Sequence, residues 1–202
     1  MALTAGSAMD DEEAWKVVAM PPVTKIATGF VFAFGALRFN GFDLLFDPVG
    51  WGLCASGLSQ LQRSADDPFS RARAFAVAMG CVALVAAVTS GPLSGDHLMV
   101  SLRYAIGFAD TVGALIGVWL AVEAIIRRIR PHGDLSKAAF LDVLRWAVIG
   151  LGVVGLLTGY GFADLGAVTL IAWFVTIVTL VVLLYRSAGL PYLSATWEPA
   201  TS

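Results

Sequence analysis

Charge is what this sequence has least of. Asp, Glu, Lys and Arg make up 14% of the 202 residues, while 58% are hydrophobic, against about a quarter charged in an ordinary soluble domain. A soluble fold of this length would lack the polar surface to cover itself, whereas a surface facing lipid needs none. Cysteine is scarce as well. Cys54 and Cys81 both lie in apolar runs, without CxxC or Cys/His spacing, so no disulfide framework or metal site is expected. Walker loops, nucleophile elbows and HExxH are missing, so nothing marks an enzyme and no cofactor is expected. The net charge is −2, and no dense basic stripe stands outside the flanks of the apolar segments, which gives nucleic acid no footing.

What the chain has in abundance is long apolar segments. A helix needs about 20 apolar residues to cross a bilayer. Six segments approach that ruler: Val23–Phe39, Pro48–Leu61, Ala72–Thr89, Leu98–Ile126, Ala138–Tyr160 and Phe162–Tyr185. The expected fold class is all-α, a polytopic transmembrane helix bundle of about six spans over residues 23–186, with the lipid bilayer as its first partner. Residues 1–22 carry Asp10-Asp11-Glu12-Glu13 and lack the basic start and apolar core of a signal peptide. They are read as a disordered cytoplasmic segment, and 187–202 as a cytoplasmic tail.

Arginines set the expected orientation. Arg63, Arg71 and Arg73 separate spans two and three; Arg127, Arg128, Arg130 and Lys137 separate four and five; Arg186 follows six. Cytoplasmic loops concentrate Lys and Arg, so both termini are expected inside. Span two is short: its length as a helix is about 21 Å, against about 30 Å of hydrocarbon. It either crosses or dips in and returns.

Asp47-Pro48 has the form of a helix start, with a carboxylate to accept orphan amide hydrogens and proline at a position that needs none. The stretch Asp43-Leu44-Leu45-Phe46-Asp47-Pro48-Val49-Gly50-Trp51-Gly52-Leu53-Cys54-Ala55-Ser56-Gly57-Leu58 resembles a segment of an uncharacterised family of small multi-pass bacterial membrane proteins. The shared pattern is two aspartates around an apolar stretch, a Gly-aromatic step and a Gly-Leu ending. A basic start to the next helix follows, as in Pro68–Ala74. The family has proline before the second aspartate, whereas here Phe46 precedes Asp47 and Pro48 follows it. The resemblance implies a bacterial inner-membrane protein and carries no activity with it.

Asp110 is the most costly residue in span four, since a carboxylate at a helix centre costs on the order of 2.5–3.5 kcal/mol to insert. Helical spacing puts Arg103, Gly107, Asp110, Ala114, Gly117, Ala121 and Ala124 on one stripe, and Gly113 with Gly117 makes a GxxxG. Small-residue stripes are where membrane helices approach closely, so Asp110 is expected to face another helix, with Arg103 or Arg38 as its partner. Either it is a proton, cation or substrate contact, or the pair fixes helix register. Span five repeats the device with Arg145, Val148, Gly152, Gly155 and Gly159, and is expected to dock on span four. Such seams serve packing within one chain, a homo-oligomer or another membrane protein equally well. Asp142–Arg145 and Glu123–Arg127 are expected as local anchors. The outer-loop acids Asp43, Asp47 and Asp164, with Asp96 and His97, lack metal-ligand spacing and read as caps and solvated charges.

The leading functional expectation is a non-enzymatic accessory or scaffold subunit. The alternative is a small proton- or ion-coupled transporter or channel using Asp110. An intramembrane enzyme has least support, because no candidate base and nucleophile share a face.

Overall fold

The computed structural model describes residues 20–35, 38–39, 42–43, 47–64, 66–89, 97–159 and 166–194. Its long elements are helices: α1 Pro22–Phe34, α2 Asp47–Leu61, α3 Pro68–Thr89, α4 His97–Ile129, α5 Leu135–Gly159 and α6 Gly166–Ser187. Each of the six predicted segments contains a helix, and among the described residues four of the helices, α3 to α6, are long and apolar enough to cross a membrane. Where six spans were expected, the described residues offer four such helices and a pair of shorter ones. α1 ends at Phe34, well before the expected Phe39. Beyond it Arg38 and Phe39 pair antiparallel with Asp43 and Phe42.

Prolines lie in the first turn of several elements, Pro48 of α2 among them. Pro22 and Pro68 occupy first-turn positions of α1 and α3, where a missing N–H costs nothing. Asp67 caps α3, its Oδ1 accepting the Phe69 amide at 3.1 Å. Pro131 lies in the 3-10 turn Arg130–His132 that ends α4, and Gly133, at φ +84°, supplies the left-handed residue that lets α5 begin.

α1 and α2 form the closest-packed pair. A Cβ on Gly29 would lie 2.5 Å from Cys54 Sγ and 2.6 Å from the Gly50 carbonyl oxygen. One on Gly50 would lie 2.8 Å from both Ala33 N and the Gly29 oxygen, and one on Gly57 2.5 Å from the Pro22 oxygen. Only glycine lets two backbones meet this way. Each helix then packs on its neighbour in sequence, and α6 closes the circle on α1. Trp51 of α2 reaches across to α3 and α4, filling the space beside Gly80 and Gly117.

The two ends of this ring differ in chemistry. One end gathers Arg63, Arg71, Arg127, Arg130, Lys137 and Arg186 at helix termini. Here Arg128 donates to Asp67 at 2.8 Å and to the Leu61 carbonyl at 3.2 Å, so one guanidinium closes α2 and braces the cap of α3. Residues 188–194 fold back onto the same end. Leu193 is fully buried, and Tyr192 stacks on His132 while donating to Asp134 at 2.6 Å. That hydrogen bond and the one from Lys137 hold the Asp134 carboxyl below its usual range. Burial, with Asp134 as acceptor, pushes the Tyr192 phenol up to about 12.

The outward faces of α5 and α6 are apolar, with Val143 63%, Val168 69% and Ile171 65% exposed. A continuous surface of this kind is suited to lipid and not to water.

Candidate functional site

The site begins with how α4 and α5 are joined. Toward the basic end they are locked by a four-member ion network. Arg145, buried on α5, donates to Glu123 of α4 and to Asp142 one turn back, and Arg127 meets Glu123 at 2.6 Å. The Arg145 guanidinium also lies 3.8 Å from the Trp119 ring centroid, and Trp119 meets Trp146 edge-on. The Asp142–Arg145 and Glu123–Arg127 pairs are the local anchors read from the sequence. The bond from Arg145 to Glu123 turns the two anchors into one bridge between helices, which helical spacing alone does not reveal.

Further from the basic end, Gly152 sits against Leu115, to whose Cδ2 a Cβ there would come within 2.6 Å. Beyond that contact α4 and α5 part. Gly107 and Gly155 have nothing within 4 Å of a Cβ position among the described residues. A cavity of about 500 Å³ occupies the space, walled by α1, α4, α5 and α6. Asp110 and Thr111 line it from α4, Gly155 and Thr158 from α5, Thr169 and Trp173 from α6, and Phe34 from α1.

The polar groups of this cavity are biased toward accepting hydrogen bonds. The Thr111 hydroxyl donates to the Gly107 carbonyl at 2.9 Å and that of Thr158 to the Gly155 carbonyl at 2.8 Å, which leaves their oxygens as acceptors. Asp110 is half-buried and has no hydrogen-bond or ion-pair partner among the described residues. The Trp173 indole N–H is likewise buried and unpaired among them. A carboxylate and two hydroxyl oxygens outnumber the one indole donor between apolar walls, and a cation would satisfy the carboxylate.

No family model, characterised protein or solved structure matches this chain. The site is therefore read on its geometry.

Asp110 lies 13 residues into α4, which begins at His97, and 17 residues before Arg127 at the basic end, about 25 Å along the helix. The side chains of Arg103 and Arg38, its expected partners, lie outside the described residues, as do those of Asp43 and His97, and Asp96 and Asp164 lie outside them altogether. Of the predicted seam, Gly113 and Gly117 of α4 meet Met79 of α3 and Trp51 of α2. Gly152 meets α4, while Gly155 opens onto the cavity. Sequence reasoning missed Phe34, Thr158, Thr169 and Trp173. It also missed the Gly29/Gly50/Gly57 seam, although Gly50, Cys54 and Gly57 recur at helical spacing.

Proposed function

We propose that this chain is a multi-pass membrane protein that binds a small organic cation in the Asp110 cavity and carries it across the bilayer. The observation that carries the reading is an acidic side chain without a partner among the described residues, facing a four-helix cavity of about 500 Å³. That volume falls in the usual range of small-molecule sites, about 300–1,000 Å³, and far exceeds what a bare metal ion needs. The acceptor-rich lining selects for positive charge, and Phe34 and Trp173 offer ring faces to an alkylated ammonium group. The basic ends of the helices are assigned to the cytoplasm by the excess of Lys and Arg there. The resemblance of residues 43–58 favours a bacterial inner membrane.

The test is counterflow and equilibrium binding in proteoliposomes with a panel of monovalent amines and quaternary ammonium ions, tetramethylammonium among them. At least one panel member is expected to be taken up, with uptake and affinity falling tenfold or more in Asp110→Asn and partly restored in Asp110→Glu. Equal binding by wild type and a monodisperse Asp110→Asn protein across the panel would sink the carrier reading and return weight to a scaffold role.

A further inference from the structure

A second space adjoins the cavity. α1 and α6 touch through the Thr28–Tyr185 hydroxyl pair, at 2.7 Å, and through the Phe34–Trp173 ring pair, with centroids 5.7 Å apart. Between them lies an apolar groove of about 660 Å³, whose walls include Phe30, Val31, Ile177, Val178 and Val181. Phe34, Leu170 and Trp173 line both spaces. The groove therefore runs from the carboxylate cavity along α6 toward the basic end, for about 18 Å between Leu170 and Val182 at 1.5 Å per residue. Its outer side is the exposed apolar face of α1 and α6.

We propose that cavity and groove form one bipartite site for a single-chain cationic amphiphile, such as an alkylammonium compound, that enters sideways from the bilayer. This rests on the carrier reading and names its substrate class. The layout matches how such a molecule lies in a membrane, with charge at the boundary and chain toward the middle. Asp110 stands about 25 Å along α4 from Arg127, near the far side of a hydrocarbon core about 30 Å thick whose near side lies at the basic ends, and the groove runs from it toward the middle of that core. A neutral acyl chain would fill the groove and leave the carboxylate unmatched. A small hydrophilic cation would match the carboxylate and leave the groove to lipid. Only a molecule with both parts satisfies both spaces at once, and its head need shed little water because it already lies at the interface.

The experiment uses the full-length protein in phosphatidylcholine vesicles. A dodecyl-trimethylammonium analogue with a diazirine at the chain end is photo-crosslinked and the adducts are mapped by mass spectrometry. Expected is saturable labelling confined to Val31 and Ile177–Val182, reduced at least tenfold in Asp110→Asn. The dodecyl alcohol of matching chain should label without saturation. Ile177→Trp, which fills the groove, should block amphiphile labelling and leave Asp110-dependent binding of tetramethylammonium intact. If tetramethylammonium binds in an Asp110-dependent way but chain-end adducts scatter over the bundle, this inference falls and the carrier reading stands. Saturable groove labelling that is unchanged in Asp110→Asn, or equal for the alcohol, marks an acyl-chain site and overturns the inference. Loss of Asp110 dependence for every cation overturns both.

Discussion

Gly50 and Gly52 stand two residues apart on α2 and make opposite predictions for the same substitution. At Gly50 a new Cβ would meet the Ala33 amide nitrogen and the Gly29 carbonyl oxygen at 2.8 Å, where ordinary contact begins at 3.4 Å. Both obstacles are backbone atoms, so no rotamer change relieves them, and α1 must move away by about half an ångström along its closest seam. Overpacking of this kind costs about 1–3 kcal/mol. At Gly52 a Cβ would meet nothing within 4 Å, and alanine in a helix interior gains roughly 0.5–1 kcal/mol over glycine. The two variants should therefore differ by about 1.5–4 kcal/mol, or about 3 °C or more in melting temperature. Cys54 supplies the probe, being buried between the same two helices. With the exposed Cys81 changed to Ser, a thiol-reactive fluorogenic dye reports opening of the α1–α2 pair during a thermal ramp in mild detergent. Gly50→Ala should melt below the parent and Gly52→Ala at or above it. Coincident curves for the two variants would refute the backbone-contact argument.

Two further outcomes follow from the basic half of the ring. Arg145→Met should destabilise by about 2–4 kcal/mol, because it strands carboxylates built around a buried cation. Adding Glu123→Gln should cost less than the two single changes together in a double-mutant cycle, and strict additivity would show that the bridge between α4 and α5 is not a unit. Docking of residues 188–194 should depend on pH at both extremes. The Tyr192 phenol is raised from 10.0 to about 12 by folding, so its contribution is full below pH 10 and is lost as pH rises through about 12. Asp134 is shifted down, so its contribution is present above the ordinary carboxylate value and disappears as pH falls through the depressed one. Susceptibility of the C-terminal segment to carboxypeptidase across pH should show protection between these limits. Tyr192→Phe should weaken protection at neutral pH and abolish its alkaline loss.

Much of the helical layout was legible because membrane helices announce themselves by composition. The uncharged Val/Leu/Ile run of α6 and the arginines at the ends of α4 and α6 need no tertiary information. The anchors Asp142–Arg145 and Glu123–Arg127 followed from helical spacing, and Asp110 stood out by its charge. What could not be read was distance between elements. α1 continues as an apolar pattern to Phe39, yet the chain leaves the helix after Phe34, where the pairing of Arg38 with Asp43 takes over. The cavity arises because α4 and α5 separate beyond Leu115 and Gly152, and nothing in either stripe of small residues says where a seam closes and where it opens. Thr158 and Trp173 carry no signal of their own; they matter only because Asp110 faces the same space.

The brevity of α1 and α2 has a mechanical consequence for the surrounding membrane. The first turn of α2 lies beside Gly80, about 18 Å along α3 at 1.5 Å per residue. The two helices on the hairpin side are thus about 20 Å long, against about 33 Å for α3 and α6. A bilayer wrapped around such a body has two hydrophobic thicknesses to match, and mismatch is relieved by tilting the protein or thinning the lipid on the short side. The molecule should therefore sit tilted, prefer thin bilayers over thick ones, and compress the leaflet nearest the α1–α2 connection.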